Sequence, residues 1–216
     1  MIPPRIVAQF TAAAATLLLA SCASQKPAGE VTKATREAKP VNPYPAGTYD
    51  HFKAEPGYPK TYAVWENEEL LSRTNAGNSS IVISLAKQRG YLMDGGEIAM
   101  DYPICSGIAS RPTPTGTFHI LEKAVDKKSN RYGRIYDAAG EVVNSNADVV
   151  LDAMPPGGHF EGAEMRYWMR LTNDGVGHHI GPVKRHPASH ACIRGPGATI
   201  PIVYSKVKEG TRVTVE

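Results

Sequence analysis

The sequence predicts a mainly β domain, an antiparallel sandwich or barrel with minor helices. Short apolar and β-branched runs recur between clusters of Gly, Asn, Pro and Asp, which is the pattern of strands joined by turns. Helical periodicity is scarce along the chain. The 216 residues are 42% hydrophobic and 21% charged, a composition that fits one globular domain with a sizeable core and additional segments.

The predicted elements begin with a short helix over residues 63–73 and a strand that starts at Ile81. A second strand starts at Gly90, and the turn Asp94-Gly95-Gly96 predicts a hairpin in which 97–106 pairs back, giving a β-meander. For residues 126–146 the sequence predicts a long loop, which is a candidate functional element. The remaining predictions are strands at 116–122, 149–153, 166–172 and 212–215 and a helix within 198–207.

The N-terminal segment resembles the signal of a bacterial lipoprotein. An arginine precedes an apolar run over 6–20, which is shorter than the roughly 20 residues that a spanning helix needs. The run ends in a sequence similar to a lipobox, Leu19-Ala20-Ser21-Cys22. We expect 1–21 to be a signal peptide and Cys22 to carry acyl chains that anchor the protein to a membrane, most favourably the outer membrane, facing the periplasm. An ordinary signal peptide with an incidental cysteine is the alternative.

Residues 22–60 are rich in Pro, Lys, Glu, Ala and Thr and have no apolar periodicity. Such a segment buries too little apolar surface to offset its ordering entropy, so we expect an extended tether. Residues 61–216 then form the folded domain, which we expect to be monomeric. The formal net charge of +3 gives no support for a nucleic-acid partner, because such proteins carry a concentrated basic face.

The residues 177–196 contain four of the seven histidines and Cys192. A cysteine becomes nucleophilic as the thiolate, and an imidazole nearby can take its proton. A turn rich in Ser, Ala and Gly can also direct backbone N–H groups at an oxyanion. Residue types alone leave a core or metal-binding role open, because Cys and His pairs occur in both.

Three motifs together resemble one known family. Ser189-His190-Ala191-Cys192-Ile193-Arg194 is similar to the S-H-G-C-x-[N/R] signature of the L,D-transpeptidase (YkuD-type) catalytic domain, whose upstream histidine corresponds to His179. Ser106-Gly107 followed by Thr113-Pro114-Thr115-Gly116-Thr117-Phe118 is similar to the S-x-G and T-P-x-G-x-F motifs of the family. The strand that ends in Gln88-Arg89 is similar to a third. The motifs occur in family order across nearly the whole predicted domain.

The resemblance implies the L,D-transpeptidase fold and a cysteine enzyme that acts on peptidoglycan stem tetrapeptides through a thioester. It implies Cys192 as the nucleophile, His179 as its base, oriented by a backbone carbonyl, and His190 as support for the turn and the oxyanion site. Ser189 and Ala191 complete that turn. It implies no cofactor and no metal. Substrate contacts are expected from Arg194, Trp168 and Tyr132, and the acyl acceptor stays open: a stem peptide, a protein amine, a D-amino acid or water.

Several alternatives remain at this stage. Ala191 replaces the glycine of the family, and if its φ is positive the Cβ costs about 1 to 2 kcal/mol, which would fit a catalytically impaired lipoprotein that only binds wall peptide. A zinc-dependent wall peptidase is a second alternative, because His and Cys are preferred zinc ligands. A disulfide between Cys105 and Cys192 is a third. Adjacent strand residues face opposite sides, so only one of His178 and His179 faces Cys192, and the family position selects His179.

Overall fold

A computed structural model describes residues 41–216. The helices are α1 Tyr49–Ala54, α2 Glu68–Arg73 and α3 Ile200–Lys206. The strands are β1 Trp65–Glu66, β2 Ser79–Ser84, β3 Arg89–Asp94, β4 Glu97–Pro103, β5 Gly116–His119, β6 Glu122–Ala124, β7 Lys128–Tyr136, β8 Val142–Asp148, β9 His159–Glu164, β10 Trp168–Arg170, β11 Gly177–Ile180, β12 Ile193–Gly195 and β13 Arg212–Val215.

The strands form three sheets. Their orders are β1-β4-β3-β2-β13-β5, β12-β11-β10-β6 and β8-β7-β9. Most neighbouring strands are antiparallel, but β13 pairs with β2, and β11 with β12, in parallel. The predicted mainly β fold with minor helices is confirmed, with the correction that the sheets are mixed. A parallel neighbour needs a crossover, and α3 lies in the connection that brings the chain back to β13.

The six-stranded and four-stranded sheets share one hydrophobic core with α3. Ile81 and Ile83 of β2 are both buried, as alternate residues on one face of a strand must be. Ile200 and Val203, three residues apart on one face of α3, pack into the same cluster. The cluster also takes Met169 from β10 and Ile193 from β12, so the four-stranded sheet is fixed by packing on one face. Its other face carries the candidate site.

The predicted strands with clear apolar patterns are present. β3 and β4 form the expected hairpin, in which Asp94 pairs with Glu97 across the turn. β2 and β13 lie within a residue or two of their predicted positions, and α3 lies inside the predicted 198–207 helix. The predicted strands over 116–122 and 166–172 are shorter, as β5 and β10.

The prediction of a long loop over 126–146 is wrong, because this region forms β7 and most of β8. These strands carry mostly polar residues on both faces and therefore show no apolar alternation. The backbones of β7 and β9 approach closely, which explains the glycine at position 162 of β9. A Cβ on Gly162 would lie 1.8 Å from the carbonyl oxygen of Ser129 on β7. The prediction of a strand over 149–153 is also wrong. These residues form a turn, in which the N–H groups of Leu151 and Asp152 donate to the carbonyl oxygen of Asp148, each at 2.8 Å.

The helix predicted over 63–73 is correct only from Glu68 to Arg73. Asn67 caps it, since its side-chain oxygen accepts a hydrogen bond from the Leu70 N–H at 3.1 Å. The preceding residues Trp65 and Glu66 pair with β4 instead. The beginning of the helix is therefore set by the cap and by competition from the sheet edge.

The predicted tether is wrong for residues 41–60, which pack onto the domain. The Tyr49 hydroxyl of α1 donates to Asp101 on β4 at 2.9 Å. Phe52 and Tyr58 lie against the guanidinium of Arg89, which forms a fully buried ion pair with Asp101 at 2.6 Å. The rest of the predicted tether, the signal peptide and Cys22 lie outside the described residues. Within 41–216 no helix has the length and apolar character needed to cross a membrane.

Candidate active site

The two adjacent histidines of β11 face opposite sides of the four-stranded sheet. His178 faces the core, where its Nδ1 donates to the carbonyl oxygen of Ile193 at 2.9 Å and its Nε2 accepts from the Tyr102 hydroxyl at 3.1 Å. Both of its ring nitrogens are therefore engaged. His179 faces the other side, beside the ring of Trp168 at a centroid distance of 5.8 Å. Strand parity thus leaves His179 as the histidine on the face of the site.

His179 is oriented by the backbone of its own strand. Its Nδ1 lies 2.7 Å from the carbonyl oxygen of Ile180, so Nδ1 carries the hydrogen and Nε2 has a free lone pair. Burial lowers the pKa of His179 to about 4, which keeps the ring neutral at neutral pH. The arrangement supplies a proton acceptor without a carboxylate partner.

Cys192 lies directly before β12, on the same side of the sheet as His179. The register pairs His179 with Arg194, and Cys192 is two residues before Arg194. The Cys192 Sγ lies 3.8 Å from the carbonyl oxygen of Gly175, and no hydrogen bond joins it to His179 among the described residues. The residue is partly exposed, and burial of the thiol raises its pKa. The pair is therefore a neutral thiol and a neutral imidazole on the walls of one cavity.

The turn Ser189–Cys192 is held by the 105–113 segment. Ala188 and Ser189 donate backbone hydrogen bonds to the carbonyl oxygen of Ser106, at 2.9 and 3.0 Å. The Thr113 hydroxyl donates to the carbonyl oxygen of Ala191 at 2.7 Å and accepts from the Gly107 N–H at 2.9 Å. Inside the turn, the Ser189 hydroxyl donates to the carbonyl oxygen of Cys192. The two motifs that are far apart in sequence thus form one structural unit.

The third motif extends the same network. The Gln88 side chain donates to the Ser106 hydroxyl at 2.7 Å and accepts from the Ser106 N–H at 3.0 Å. Gln88, Ser106 and Ser189 are all buried. A buried and satisfied polar network is rigid, because breaking any member leaves an unpaired polar group. The position of the thiol is therefore determined by all three motifs.

Ala191 has a φ of 78°, in the left-handed region that favours glycine. The turn is also crowded: a Cβ on Gly107 would lie 2.8 Å from the Ala191 Cα. The backbone strain considered from the sequence is therefore present. The backbone N–H groups of His190, Ala191 and Cys192 donate no hydrogen bond within residues 41–216, so the turn has donors available beside the thiol.

His190 is held from the other side by β7. Its ring lies against the ring of Tyr132, with the centroids 4.5 Å apart. The Tyr132 hydroxyl accepts from Arg111, and the guanidinium groups of Arg111 and Arg131 lie 5.0 and 5.2 Å from the centre of the same ring. Both arginines form ion pairs with Asp148, at 3.2 and 2.9 Å. The Arg131 hydrogen bond holds the pKa of Asp148 at about 2, so this carboxylate stays ionised.

Two cavities meet at Cys192. The first cavity has a volume of about 450 Å³ and is called the basic cavity. It is lined by Cys192 and His190, and its charged lining residues are Arg111, Lys127, Lys128, Arg131, Arg170 and Asp174. The second, of about 250 Å³, is called the histidine cavity, and it is lined by His179, Arg194, Glu164, Met165 and Pro182 among others. Cys192, His190 and Tyr132 line both. A substrate in either cavity reaches the same thiol.

Trp168 forms a wall of the basic cavity from a buried position. Only 1% of the residue is exposed, and its ring lies so close to Gly177 that a Cβ there would be 2.5 Å from it. Trp168 is thus a buried ring that also lines the cavity. Its contact with substrate stays a prediction, as do those of Arg194 and Tyr132.

Cys105 and Cys192 are both free thiols in this structure. Cys105 is fully buried, and its Sγ lies 3.5 Å from the carbonyl oxygen of His186. In the described part of the chain, no group of three or more His, Cys, Asp or Glu side chains is placed to hold a metal ion.

Sequence reasoning missed the residues that surround the Ser189–Cys192 turn. Thr113 was noted only as part of a motif, and Arg111, Arg131 and Asp148 were not identified. Arg131 lies next to Tyr132 in a region that the sequence predicts as a loop, so the sequence does not show which face of a strand it occupies. Arg111 lies between the two parts of the second motif, and this position is the one sequence feature that could have identified it.

A family model of the L,D-transpeptidase catalytic domain (YkuD) matches residues 78–215. Among solved structures, the chain is similar to an L,D-transpeptidase from Mycobacterium smegmatis, with 21% identity over 64% of this chain and 58% of that chain and a TM-score of 0.49. A cysteine-to-serine mutant of the Enterococcus faecium L,D-transpeptidase has 23% identity over 65% of this chain and 50% of that one, with a TM-score of 0.46.

A third similar structure is L,D-transpeptidase 3 from Mycobacterium tuberculosis with a faropenem-derived adduct, at 20% identity over 64% of this chain and 60% of that one, with a TM-score of 0.46. The chain thus spans between half and three fifths of the length of these three relatives. Among curated proteins, no sequence matches the chain.

Proposed function

Because the chain belongs to the YkuD family of L,D-transpeptidase catalytic domains, we propose that it acts on peptidoglycan stem tetrapeptides by acyl transfer through Cys192. The observation that carries this proposal is the position of Cys192 where two cavities meet, on the same sheet face as a histidine whose Nε2 is free. A thiol with access from two sides suits a reaction in which a donor and an acceptor visit one sulfur in turn.

In the first half-reaction, His179 Nε2 takes the proton of the Cys192 thiol as the sulfur attacks the carbonyl carbon of the third residue of the stem. The oxyanion of the tetrahedral intermediate is stabilised by the backbone N–H groups of His190, Ala191 and Cys192, which donate no other hydrogen bond within residues 41–216. When the intermediate collapses, the C–N bond to the terminal D-alanine breaks, and the leaving amine takes the proton from His179. The product is a thioester on Cys192.

In the second half-reaction, an amine acceptor attacks the thioester carbonyl and loses a proton to His179. The C–S bond breaks, a new amide forms, and the proton returns to the Cys192 sulfur. Water in place of the amine gives hydrolysis. The chemistry of the protein is the same in each case, so the acceptor is selected by what the free cavity holds.

Burial favours a neutral pair in the resting enzyme, because it raises the pKa of Cys192 and lowers that of His179. The proton therefore transfers during attack rather than before substrate binds, as in general base catalysis. His190, Ser189 and Ala191 act as turn and oxyanion support, and Arg194, Trp168 and Tyr132 as substrate contacts. The reaction as proposed uses no metal and no cofactor.

The lipobox-like sequence supports the further proposal that the enzyme is a lipoprotein, anchored through Cys22 to the outer membrane and facing the periplasm. We also propose that it works as a monomer. Metabolic labelling with a fatty acid tests the anchor: label is expected in the wild type and absent from Cys22→Ala. Incorporation into both proteins would contradict it.

The proposed nucleophile is tested by intact-mass analysis after exposure to a carbapenem, which acylates the cysteine of this family. We expect one adduct on the wild type and none on Cys192→Ala, with Cys105→Ala as the matched control that keeps the adduct. A protein that binds wall fragments but forms no adduct is the impaired lipoprotein. Loss of wall-peptide turnover on chelation would identify a zinc peptidase, whereas the turnover of a thiol enzyme would be unaffected by the chelator.

A further inference from the structure

The basic cavity carries more positive charge than its own acids balance. Asp148 is shared by Arg111 and Arg131, at 3.2 and 2.9 Å, and Glu122 is shared by Lys127 and Arg170, at 3.5 and 2.7 Å. Lys128 pairs with Glu161 at 3.0 Å and lies opposite Glu164. Among the described residues that line the cavity, five side chains are cationic and one, Asp174, is acidic.

The two arginines that share Asp148 also keep unused hydrogen-bond donors. Arg111 uses its two terminal nitrogens on Asp148 and Tyr132, and Arg131 uses Nε and Nη2 on Asp148. Among the described residues, Arg111 Nε and Arg131 Nη1 have no partner. Both side chains are partly exposed, at 32% and 45%, so these donors are accessible to a ligand.

The guanidinium pair is connected directly to the reacting turn. Both groups lie over Tyr132, and the Tyr132 ring lies against His190, two residues before Cys192. The histidine cavity differs, because its charged lining residues Arg194 and Glu164 have opposite signs and its other walls include Ala163 and Pro182, which do not line the basic cavity. The excess of cations is thus found on one side of the thiol only.

We propose that the basic cavity binds a carboxylate of the acyl donor, with Arg111 and Arg131 as its recognition residues. This inference rests on the proposed function. A guanidinium recognises a carboxylate by charge-assisted hydrogen bonds, whereas a carboxamide offers a neutral oxygen and N–H groups that face other donors. A stem donor with diaminopimelate at its third position has two candidates, the free carboxylate of that side chain and the C-terminal carboxylate of D-alanine.

The test uses three tetrapeptide donors, one with both carboxylates free, one with the side-chain carboxylate amidated and one with the C-terminal carboxylate amidated. We expect the wild type to show a KM about tenfold higher for one amidated donor, the usual order for a lost hydrogen bond to a charged group. Which donor is affected identifies the carboxylate. The kcat is expected to change less than KM, because the contact forms before the chemical step.

The variant Arg131→Gln is expected to raise the KM for the donor with two free carboxylates. This KM should then equal that for the amidated donor that the wild type binds more weakly, so the preference between the two donors is lost. Arg212→Gln, an exposed arginine on β13, is the matched control and is expected to behave as the wild type. The rate at which neutral iodoacetamide alkylates Cys192 is the control for the fold of Arg131→Gln. This rate is expected to equal that of the wild type, because the charged groups that act on the thiol are Arg194 and Asp174 rather than Arg131.

Equal KM values for the three donors, or a preference that survives in Arg131→Gln, overturn this inference alone. Absence of turnover with every donor overturns the proposed function, and this inference with it.

Discussion

At the scale of single residues, the reactive pair is defined by burial rather than by charge pairing. His179 is 5% exposed and has no carboxylate partner within residues 41–216, and the cost of burying an imidazolium accounts for its low pKa. The thiolate of Cys192 is disfavoured by the same cause. A preformed thiolate and imidazolium pair would require the opposite shifts.

The pH dependence of kcat/KM therefore has a predicted direction. A general base must be neutral, so lowering the His179 pKa to about 4 moves the acid limb of the profile below the ordinary imidazole value of 6.5. The rate of iodoacetamide alkylation is expected to be lower than that of free cysteine at pH 7 and to rise with pH, because the Cys192 pKa is raised. An acid limb at or above 6.5 would contradict the neutral pair.

The left-handed backbone at Ala191 gives a stability prediction. Ala191→Gly removes a strain of about 1 to 2 kcal/mol, partly offset by the greater freedom of glycine in the unfolded chain, so a gain of up to about 1 kcal/mol is expected. The measurement is the free energy of unfolding in urea. Ala124→Gly on β6 is the matched control, where the same change is expected to destabilise by roughly 0.5 to 1 kcal/mol. Destabilisation by Ala191→Gly as well as by Ala124→Gly would contradict the presence of backbone strain at Ala191.

At the scale of elements, the important connection is between the 105–113 segment and the Ser189–Cys192 turn. Thr113 is its central side chain, since one hydroxyl bonds both Gly107 and Ala191 and is 4% exposed. The thiol is thus positioned by a residue more than seventy positions earlier in the chain.

The variant Thr113→Val keeps the shape of the side chain and removes both hydrogen bonds. It leaves a buried N–H and a buried carbonyl unpaired, so we expect a loss of about 1 to 3 kcal/mol in unfolding free energy. A fall in kcat at unchanged KM is expected as well, because the N–H groups of the turn shift. Circular dichroism melts and steady-state kinetics measure the two effects. Thr117→Val, exposed on β5, is the control; equal behaviour of the two variants would remove the role of Thr113.

The strands that sequence predicted and those it missed differ in their surroundings. β2, β3, β4 and β13 line the main core and show the apolar residues that a buried face requires. β7, β8 and β9 form a separate sheet with mostly polar residues on both faces, so their pairing depends on glycines at close backbone contacts. Such contacts are made between distant segments and leave no local pattern.

At the scale of the whole molecule, the domain is larger than its composition indicated. The 41–60 segment has no apolar periodicity, yet three of its aromatic residues, Tyr49, Phe52 and Tyr58, cover the buried pair of Arg89 and Asp101. A buried ion pair depends on complete coverage, because exposure or loss of its partners leaves polar groups unsatisfied. The segment is therefore part of the folding unit.

A protein that begins at Thr61 is predicted to be less stable than one that begins at Val41, by about 2 to 4 kcal/mol, since it loses aromatic packing and a hydrogen bond to a buried carboxylate. Urea denaturation of the two proteins measures the difference. A protein beginning at Val41 with Tyr49→Phe is the matched control and is expected to lie between them. Equal midpoints for all three would show that the segment adds nothing.

The candidate site shows the same division between what sequence can and cannot predict. Motif resemblance identified Cys192, His179 and the turn, because these residues are close in sequence and chemically distinctive. The arginines of the basic cavity and the contact from Thr113 were not identified, since they reach the site through long-range pairing of strands and loops.

The most direct measurement is the acid-quenched intact mass of the protein mixed with a stem tetrapeptide donor and no acceptor, followed by peptide mapping. The account predicts a mass increase equal to the donor without its terminal D-alanine, mapped to Cys192, sensitive to hydroxylamine and absent from Cys192→Ala. Release of D-alanine by Cys192→Ala at the wild-type rate, or an acyl group mapped to any other residue, would contradict it.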